Sequence, residues 1–150
     1  MEAMKAAVDY GVMGLLMALS IWAVAVAIGR FAHYRQVRVA DFATRVELET
    51  DLTQGLTVIG TVAANAPYIG LLGTVLGIML TFQSMGASGE MDVHSIMTGL
   101  ALALKATAAG LLVAIPCVAL NNALRRRVRV KLAAFDAQRE LLGKGDMTHG

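Results

Sequence analysis

Two threonines and one lysine are the polar side chains that could support chemistry in the most hydrophobic parts of this chain. Thr74 and Thr107 each lie in a long apolar run, and Lys105 is the only charged residue in either run. A hydroxyl in an apolar helix can bond to its own backbone, or it can donate and accept in turn. The second behaviour is what the movement of a proton or a hydrated ion requires.

Small residues accompany each threonine on the same side of its helix. At about 100° per residue, positions three, four and seven apart fall on one stripe. The first stripe holds Gly70, Thr74, Gly77 and Thr81, and the second holds Gly99, Ala103, Thr107, Gly110, Ala114 and Cys117. Close packing of helices in lipid is one interpretation of such stripes. The other is a shared lining of a proton path, formed by Thr74, Thr107, Gly70, Gly77, Thr81, Ala103 and Gly110.

Membrane helices are needed to position these stripes, and the composition predicts three. Of 150 residues, 57% are hydrophobic and 16% are charged, and the mean hydropathy is +0.62. No charge occurs between Asp51 and Glu90. Because a spanning helix needs about 20 mostly apolar residues, we predict spans at about 10–28, 63–85 and 96–120. The predicted fold is a single-domain, all-α integral membrane protein.

Basic residues are concentrated on one side of the predicted spans. They occur in the segment 30–55 and after Leu120, whereas the loop between the second and third spans has none. Since basic loops stay in the cytoplasm, we predict that the N-terminus is outside, the C-terminus is inside, and the helices extend into the cytoplasm. Topology and contact with anionic lipid, rather than nucleic-acid binding, then explain the cluster Arg125, Arg126, Arg127 and Arg129.

Both ends of the chain allow further predictions. The first apolar segment has some features of a signal peptide, but acidic residues outnumber Lys5 ahead of it and the run is long, so a spanning helix is favoured. At the other end, Val128, Leu132, Phe135 and Arg139 follow helical spacing, which predicts a helix packed against the inner loop. The last residues, 143–150, are expected to fray.

Several kinds of site are missing from the sequence. The three histidines are scattered, and there is no metal-ligand spacing, nucleophile–base set or phosphate loop, so neither an enzyme nor a metal or other cofactor is expected. The single cysteine, Cys117, excludes an intrachain disulfide. No acidic residue lies within the three predicted spans, yet a proton path needs a titratable group. If the chain conducts protons, a partner helix must supply that group.

The lysine in the third span allows two interpretations. Placing a lysine at the centre of a bilayer costs about 2.5–3.5 kcal/mol. Lys105 could therefore extend toward the outer interface or pair with a carbonyl of a neighbouring helix. Alternatively, its charge tunes an ion path or meets an acid of a partner. Its position two residues before Thr107 turns it away from the stripe of small residues.

Two segments of the chain are similar to a known family. Residues 66–78 read APYIGLLGTVLGI, and residues 104–116 read LKATAAGLLVAIP. On these motifs, and on the order of three spans, the chain resembles the ExbB/TolQ/MotA proton-channel family, and most of all its short ExbB form. The likeness covers nearly the whole chain. Thr74 and Thr107 match the two pore threonines of that family.

The resemblance implies a multi-pass protein of the bacterial inner membrane that works with ExbD-like and TonB-like partners. In that family five copies form a ring, the second and third spans line a central pore, and an ExbD aspartate carries the protons that drive TonB-dependent import. One position departs from the pattern. Many members have a glutamate five residues before the third-helix threonine, where this chain has Leu102. A role for such a glutamate does not transfer, and Lys105 is a candidate for a compensating charge.

Two other functions remain open at this point. A TolQ-like subunit would use the same physics to energise envelope constriction, with a different partner. A passive scaffold would anchor a partner without conducting protons. The identity of the copurified partner separates the first two systems, and the replacement of both threonines by valine separates a channel from a scaffold.

Overall fold

The computed structural model of the protein describes residues 2–89 and 92–147, with side chains to Asp146. They form α1 (Glu2–Gln36), a short 3-10 helix (Val39–Asp41), α2 (Arg45–Thr53), α3 (Leu56–Ser88) and α4 (Val93–Met147). No strand occurs in this described part, so the predicted all-α class is confirmed there. Glu90, which belongs to the predicted outer loop, lies outside the described residues.

Three of these helices, α1, α3 and α4, are long and apolar enough to cross a membrane, which confirms the predicted class of integral membrane protein. They contain 35, 33 and 55 residues, whereas the hydrocarbon core requires about 20. Each helix therefore continues beyond the bilayer. At about 1.5 Å per residue, α4 is about 80 Å long.

The first helix begins earlier than the sequence predicted. α1 starts at Glu2, and not near Tyr10, because the intervening residues are mostly good helix formers such as alanine, methionine and lysine. The helix consequently carries Asp9. Asp9 precedes the predicted first span, so the prediction that no acidic residue lies within the three spans stays a prediction.

An antiparallel hairpin of α3 and α4 is the centre of the fold. α3 ends at Gly89, which has a positive φ of 68° and whose N–H donates to the carbonyl of Met85 over 3.1 Å. Such a left-handed residue is a common way to end a helix. Pro67 and Pro116 both lie inside continuous helices, so neither proline interrupts a span.

An apolar core joins all four helices at the basic end of the bundle. Its buried members are Ala27, Tyr34, Leu48, Leu52, Leu56, Ile59, Leu124, Val128, Leu132 and Phe135. The last three are the apolar members of the α4 face that helical spacing predicted, and they are 5–6% exposed. The predicted packing of this face against the inner loop is therefore confirmed.

A cap and a glycine turn fix the short helix α2 in this core. The hydroxyl oxygen of Thr44 accepts a 3.2 Å hydrogen bond from the backbone N–H of Glu47, as in an N-terminal helix cap. After α2 the chain turns at Gly55, where φ is 79°. A methyl group at this glycine would stand 3.1 Å from Cγ1 of Val26. Both the backbone conformation and the available space therefore favour glycine.

Polar contacts hold the same end together and extend α4. His33 Nε2 lies 2.7 Å from Asp51 Oδ2, which ties α1 to α2. Near the end of α4, Lys144 Nζ lies 2.8 Å from Glu140 Oε1 in a pair four residues apart. Such pairs support a helix, and α4 continues to Met147. The predicted fraying from residue 143 is thus wrong as far as residue 147.

Candidate functional site

The contact between α3 and α4 is made by residues too small to hold the two backbones apart. A methyl group on Gly70 would lie 2.7 Å from a backbone carbonyl oxygen of α4, and one on Gly110 would lie 2.6 Å from a carbonyl oxygen of α3. A methyl group on Gly77 would likewise lie 2.8 Å from Cβ of Ala103. The two predicted stripes therefore pack against each other within one subunit. Their role as a lining stays a prediction.

Two hydroxyl groups meet inside this contact. Oγ1 of Thr74 is hydrogen-bonded to Oγ1 of Thr107 across the helices. Thr74 Oγ1 also lies 3.1 Å from the carbonyl oxygen of Ala103, and Thr107 Oγ1 lies 3.4 Å from that of Gly70. Thr74 is only 8% exposed, and Thr107 is half-buried. The two threonines that the sequence singled out are thus in direct contact.

The hydrogen bond between the two hydroxyls can run in either direction. In one arrangement Thr107 donates to Thr74, which donates to the carbonyl of Ala103. In the other, Thr74 donates to Thr107, which donates to the carbonyl of Gly70. The heavy atoms need not move between the two, because a hydroxyl is both donor and acceptor and can rotate. A reversal of this kind is what a proton relay requires.

Thr81 differs from the other two threonines in its hydrogen bonding. Its hydroxyl donates over 2.8 Å to the carbonyl of Gly77, four residues earlier on the same helix. The side chain is 4% exposed and packs directly against Gly99 of α4. The geometry therefore assigns Thr81 to helix packing with its hydroxyl bonded to its own backbone, and its predicted place on a proton path is not tested.

An ion pair lies beside the helix hairpin. Lys105 Nζ donates to Asp9 Oδ2 of α1 over 2.9 Å, and the two side chains are 46% and 29% exposed. The acid that Lys105 meets belongs to the same chain, which neither interpretation of this lysine anticipated. The pair compensates the lysine charge, whose isolated burial in a membrane is costly.

The same acid faces a cavity of about 250 Å³ between the N-terminal part of α1, the C-terminal half of α3 and the N-terminal part of α4. Asp9, Thr81 and Leu102 all line this cavity, together with Gly73 and Gly77 of α3. Leu102 stands at the position where the resemblance led us to expect a glutamate. A carboxylate is thus present in this region, but it comes from α1 and not from α4.

The predicted arginine cluster lies on the exposed surface of α4. Arg125 Nε donates over 3.3 Å to Oδ1 of Asn121, and the guanidinium carbon of Arg127 lies 4.0 Å from the ring centre of Phe31. Arg126 and Arg129 are exposed as well. The cluster therefore belongs to the basic end of the bundle and not to the hydroxyl pair.

Comparison with known proteins identifies the family. The model of the MotA/TolQ/ExbB proton channel family matches residues 32–137. The chain is 53% identical over 137 residues to the biopolymer transport protein ExbB of Aquifex aeolicus, which covers 91% of this chain and 93% of that protein. It is 49% identical over 133 residues to an ExbB-like biopolymer transport protein of Helicobacter pylori, which covers 89% of each.

The chain belongs to the MotA/TolQ/ExbB proton channel family. Together with the three long apolar helices, membership of the MotA/TolQ/ExbB family makes it a multi-pass membrane protein. The matched segment contains the Thr74–Thr107 pair, so the hydroxyl contact lies in the part of the chain that defines the family.

Asp9 is the residue at this site that sequence reasoning missed. It precedes the segment that matches the MotA/TolQ/ExbB family and also precedes the predicted first span, so neither the motifs nor hydropathy drew attention to it. The available signal was an unpaired lysine in the third span, which calls for a counter-charge. Which acid supplies that charge depends on how α1 packs, and a single sequence does not specify this.

Proposed function

We propose that this chain is the proton-conducting subunit of an inner-membrane complex of the ExbB–ExbD–TonB type, which converts proton flow into mechanical work for import across the outer membrane. One observation carries the proposal: the hydrogen bond between Thr74 and Thr107, inside the contact of two membrane helices. Family membership supplies the class of activity. The names of its relatives, which are ExbB proteins for biopolymer transport, support the TonB-type system.

The hydroxyl pair exchanges protons with an acid from a partner. No described carboxylate is hydrogen-bonded to either threonine. A hydroxyl alone does not hold an extra proton near neutral pH, so a titratable carboxylate must deliver it. Thr107 is the more accessible residue of the two. An ExbD-like helix with an aspartate therefore approaches the pair from the Thr107 side.

Several copies of the chain surround that partner helix. α3 packs its small residues on α4, and on other sides it exposes large apolar side chains: Tyr68, Leu72, Val75, Met79 and Phe82, each at least half exposed. This surface suits contact with lipid or with a neighbouring subunit. We expect a closed ring of five copies, as the family resemblance implies.

The orientation follows from the distribution of basic residues. We propose that the N-terminus lies outside the cytoplasm and the C-terminus inside, since the arginines of 30–55 and of α4 then face the cytoplasm. A reporter fused after Gly150 should be active in the cytoplasm, and one inserted in the segment 86–95 should be active in the periplasm. The opposite result would reverse the assignment.

Valine substitution tests the relay. Thr74→Val and Thr107→Val preserve shape but remove the hydroxyls, so a complex reconstituted in liposomes with its copurified partners should lose most of its proton uptake. Thr61→Val is the matched control, because Thr61 lies on the same helix as Thr74 but is exposed. Subunit number, measured by native mass spectrometry, should be unchanged in all three variants.

The outcomes separate the alternatives. A passive scaffold predicts that partner activity survives in the double valine variant. A TolQ-like subunit predicts the same loss of proton uptake as the TonB-type proposal, but with a Tol-type partner in the purified complex. Copurification therefore tests the system, and the threonine variants test conduction itself.

A further inference from the structure

Two arginines from different helices converge on one aromatic ring at the basic end of the bundle. The guanidinium carbon of Arg127 on α4 lies 4.0 Å from the ring centre of Phe31, and that of Arg35 on α1 lies 5.8 Å from the same centre. The two guanidinium carbons are therefore at most about 10 Å apart, which is about one Debye length. Two like charges held this close repel each other.

Neither arginine of this pair has an acidic partner within 4 Å in the described part of the chain. None of its ion pairs involves Arg35 or Arg127, although other basic side chains at this end, such as His33 and Arg45, do have acidic partners. The ring of Phe31 contributes a weak attraction to each cation but no charge. The arrangement thus leaves a place for an anion.

An apolar groove begins at the same ring. It has a volume of about 330 Å³ and lies between α1 and α4, and Arg35 is the only charged residue in its lining. Val24, Ile28 and Leu120 line it together with Phe31 and Arg35, and Arg127 reaches it only through its contact with the ring of Phe31. The groove therefore has hydrocarbon walls along the membrane helices and positive charge at the end where those helices leave the apolar run.

We propose that this groove binds one anionic phospholipid, with an acyl chain along Ile28 and Leu120 and the headgroup phosphate between Arg35 and Arg127. Guanidinium groups bind phosphate through paired hydrogen bonds and are the preferred residues for it. Basic pockets between membrane helices on the cytoplasmic side are known to accept anionic headgroups. The lipid would hold α1 against α4 and also compensate the two charges.

The site differs from a diffuse attraction of the basic tail to the membrane. Arg126 and Arg129 are exposed residues of the same helix, but neither stacks on Phe31 or lines the groove. A specific site thus predicts that the two arginine pairs have different effects, whereas diffuse attraction predicts equal effects. This difference forms the basis of the test.

The experiment counts lipids on the complex purified with its partners. The complex in detergent is titrated with phosphatidylglycerol or phosphatidylcholine, and bound phospholipid is measured by native mass spectrometry. Arg35→Gln/Arg127→Gln should bind phosphatidylglycerol about thirtyfold more weakly, because each basic residue contributes about a factor of five near a membrane surface. Ala32→Phe, which fills the groove without changing charge, should also weaken binding.

Arg126→Gln/Arg129→Gln is the matched control, with the same loss of charge from the same end of the bundle, and should keep phosphatidylglycerol affinity within about threefold because only long-range attraction is lost. Equal losses in the two double variants would overturn the proposal. Phosphatidylcholine binding as tight as that of phosphatidylglycerol would also overturn it. A changed subunit number with unchanged lipid binding in Arg35→Gln/Arg127→Gln would overturn it too, because the groove would then be a subunit interface.

Discussion

The ammonium group of Lys105 lies 2.9 Å from the carboxylate of Asp9, and this ion pair joins α4 to the N-terminal part of α1. The pair borders the packed hairpin that carries Thr107, two residues further along α4. Each charge offsets the cost of the other on these apolar helices, since a lone lysine or a lone aspartate within a membrane is costly. Removing either residue therefore does more than delete one contact, because it leaves the other charge without a partner.

A double-mutant cycle tests this relationship. Asp9→Asn and Lys105→Met should each lower the thermal stability of the purified complex, and Asp9→Asn/Lys105→Met should lose less than the sum of the two single losses. The reversed pair Asp9→Lys/Lys105→Asp should recover part of the loss. Because both side chains are partly exposed, we expect a coupling of roughly 0.5–1 kcal/mol. Purely additive effects would mean that the two side chains do not interact.

The same variants separate a structural role from an electrostatic role in conduction. Lys105→Met is expected to impair energised uptake while assembly stays intact. If the pair only holds α1 in place, the reversed pair should restore uptake along with stability. If the position of each charge affects the proton path, the reversed pair should restore stability but not uptake. Unchanged uptake in Lys105→Met would remove the residue from the mechanism.

Glycine substitutions test the close approach of α3 and α4. Gly70→Ala places a methyl group 2.7 Å from a carbonyl oxygen, which requires the helices to separate. We expect a loss of about 1–3 kcal/mol or more in the free energy of unfolding, together with weaker proton uptake, because the threonine hydroxyls move apart. Gly14→Ala is the control, since nothing lies within 4 Å of that position, and it should be neutral or stabilising by up to about 1 kcal/mol. Equal effects of the two variants would contradict the packing described here.

Two turn glycines allow backbone strain to be distinguished from lack of space. Both Gly55 and Gly89 have positive φ angles, of 79° and 68°. Alanine at either position should cost about 1–2 kcal/mol because of the left-handed conformation. Gly55→Ala should cost more, because its methyl group also meets Val26 at 3.1 Å, whereas nothing lies within 4 Å of Gly89. Thermal unfolding of the two variants measures the difference, and the reverse order would argue against the turn before α3.

The hydropathy was sufficient to predict the three long helices, and the small-residue spacing was sufficient to single out Thr74 and Thr107 as candidate site residues. Both signals are local in the sequence. The contact between Thr74 and Thr107 also follows once the two stripes face each other. The partner of Lys105 did not follow, because the rotation and register of α1 depend on packing between distant segments. Similarly, the convergence of Arg35 and Arg127 on one ring depends on where α1 and α4 meet.

The stability of the first turn of α4 should depend on pH. The carboxylate of Asp92 accepts hydrogen bonds from the Ser95 hydroxyl at 2.9 Å and from the backbone N–H groups of Ser95 and His94, both at 3.2 Å. These bonds, the Ser95 hydroxyl foremost, lower the pKa of Asp92. Its stabilising effect on the helix is therefore present above the unfolded-state pKa and is lost as the pH falls through the lowered folded-state pKa.

Amide protection factors at residues 94–98 should consequently decrease in acid as the carboxylate of Asp92 is protonated. Asp92→Asn keeps a side-chain acceptor but has no charge to lose, so its protection should vary much less over the same pH range. Asp92→Ala should show reduced protection at every pH. If Asp92→Asn responded to acid as strongly as the unchanged protein, Asp92 would not be the group that controls the start of α4.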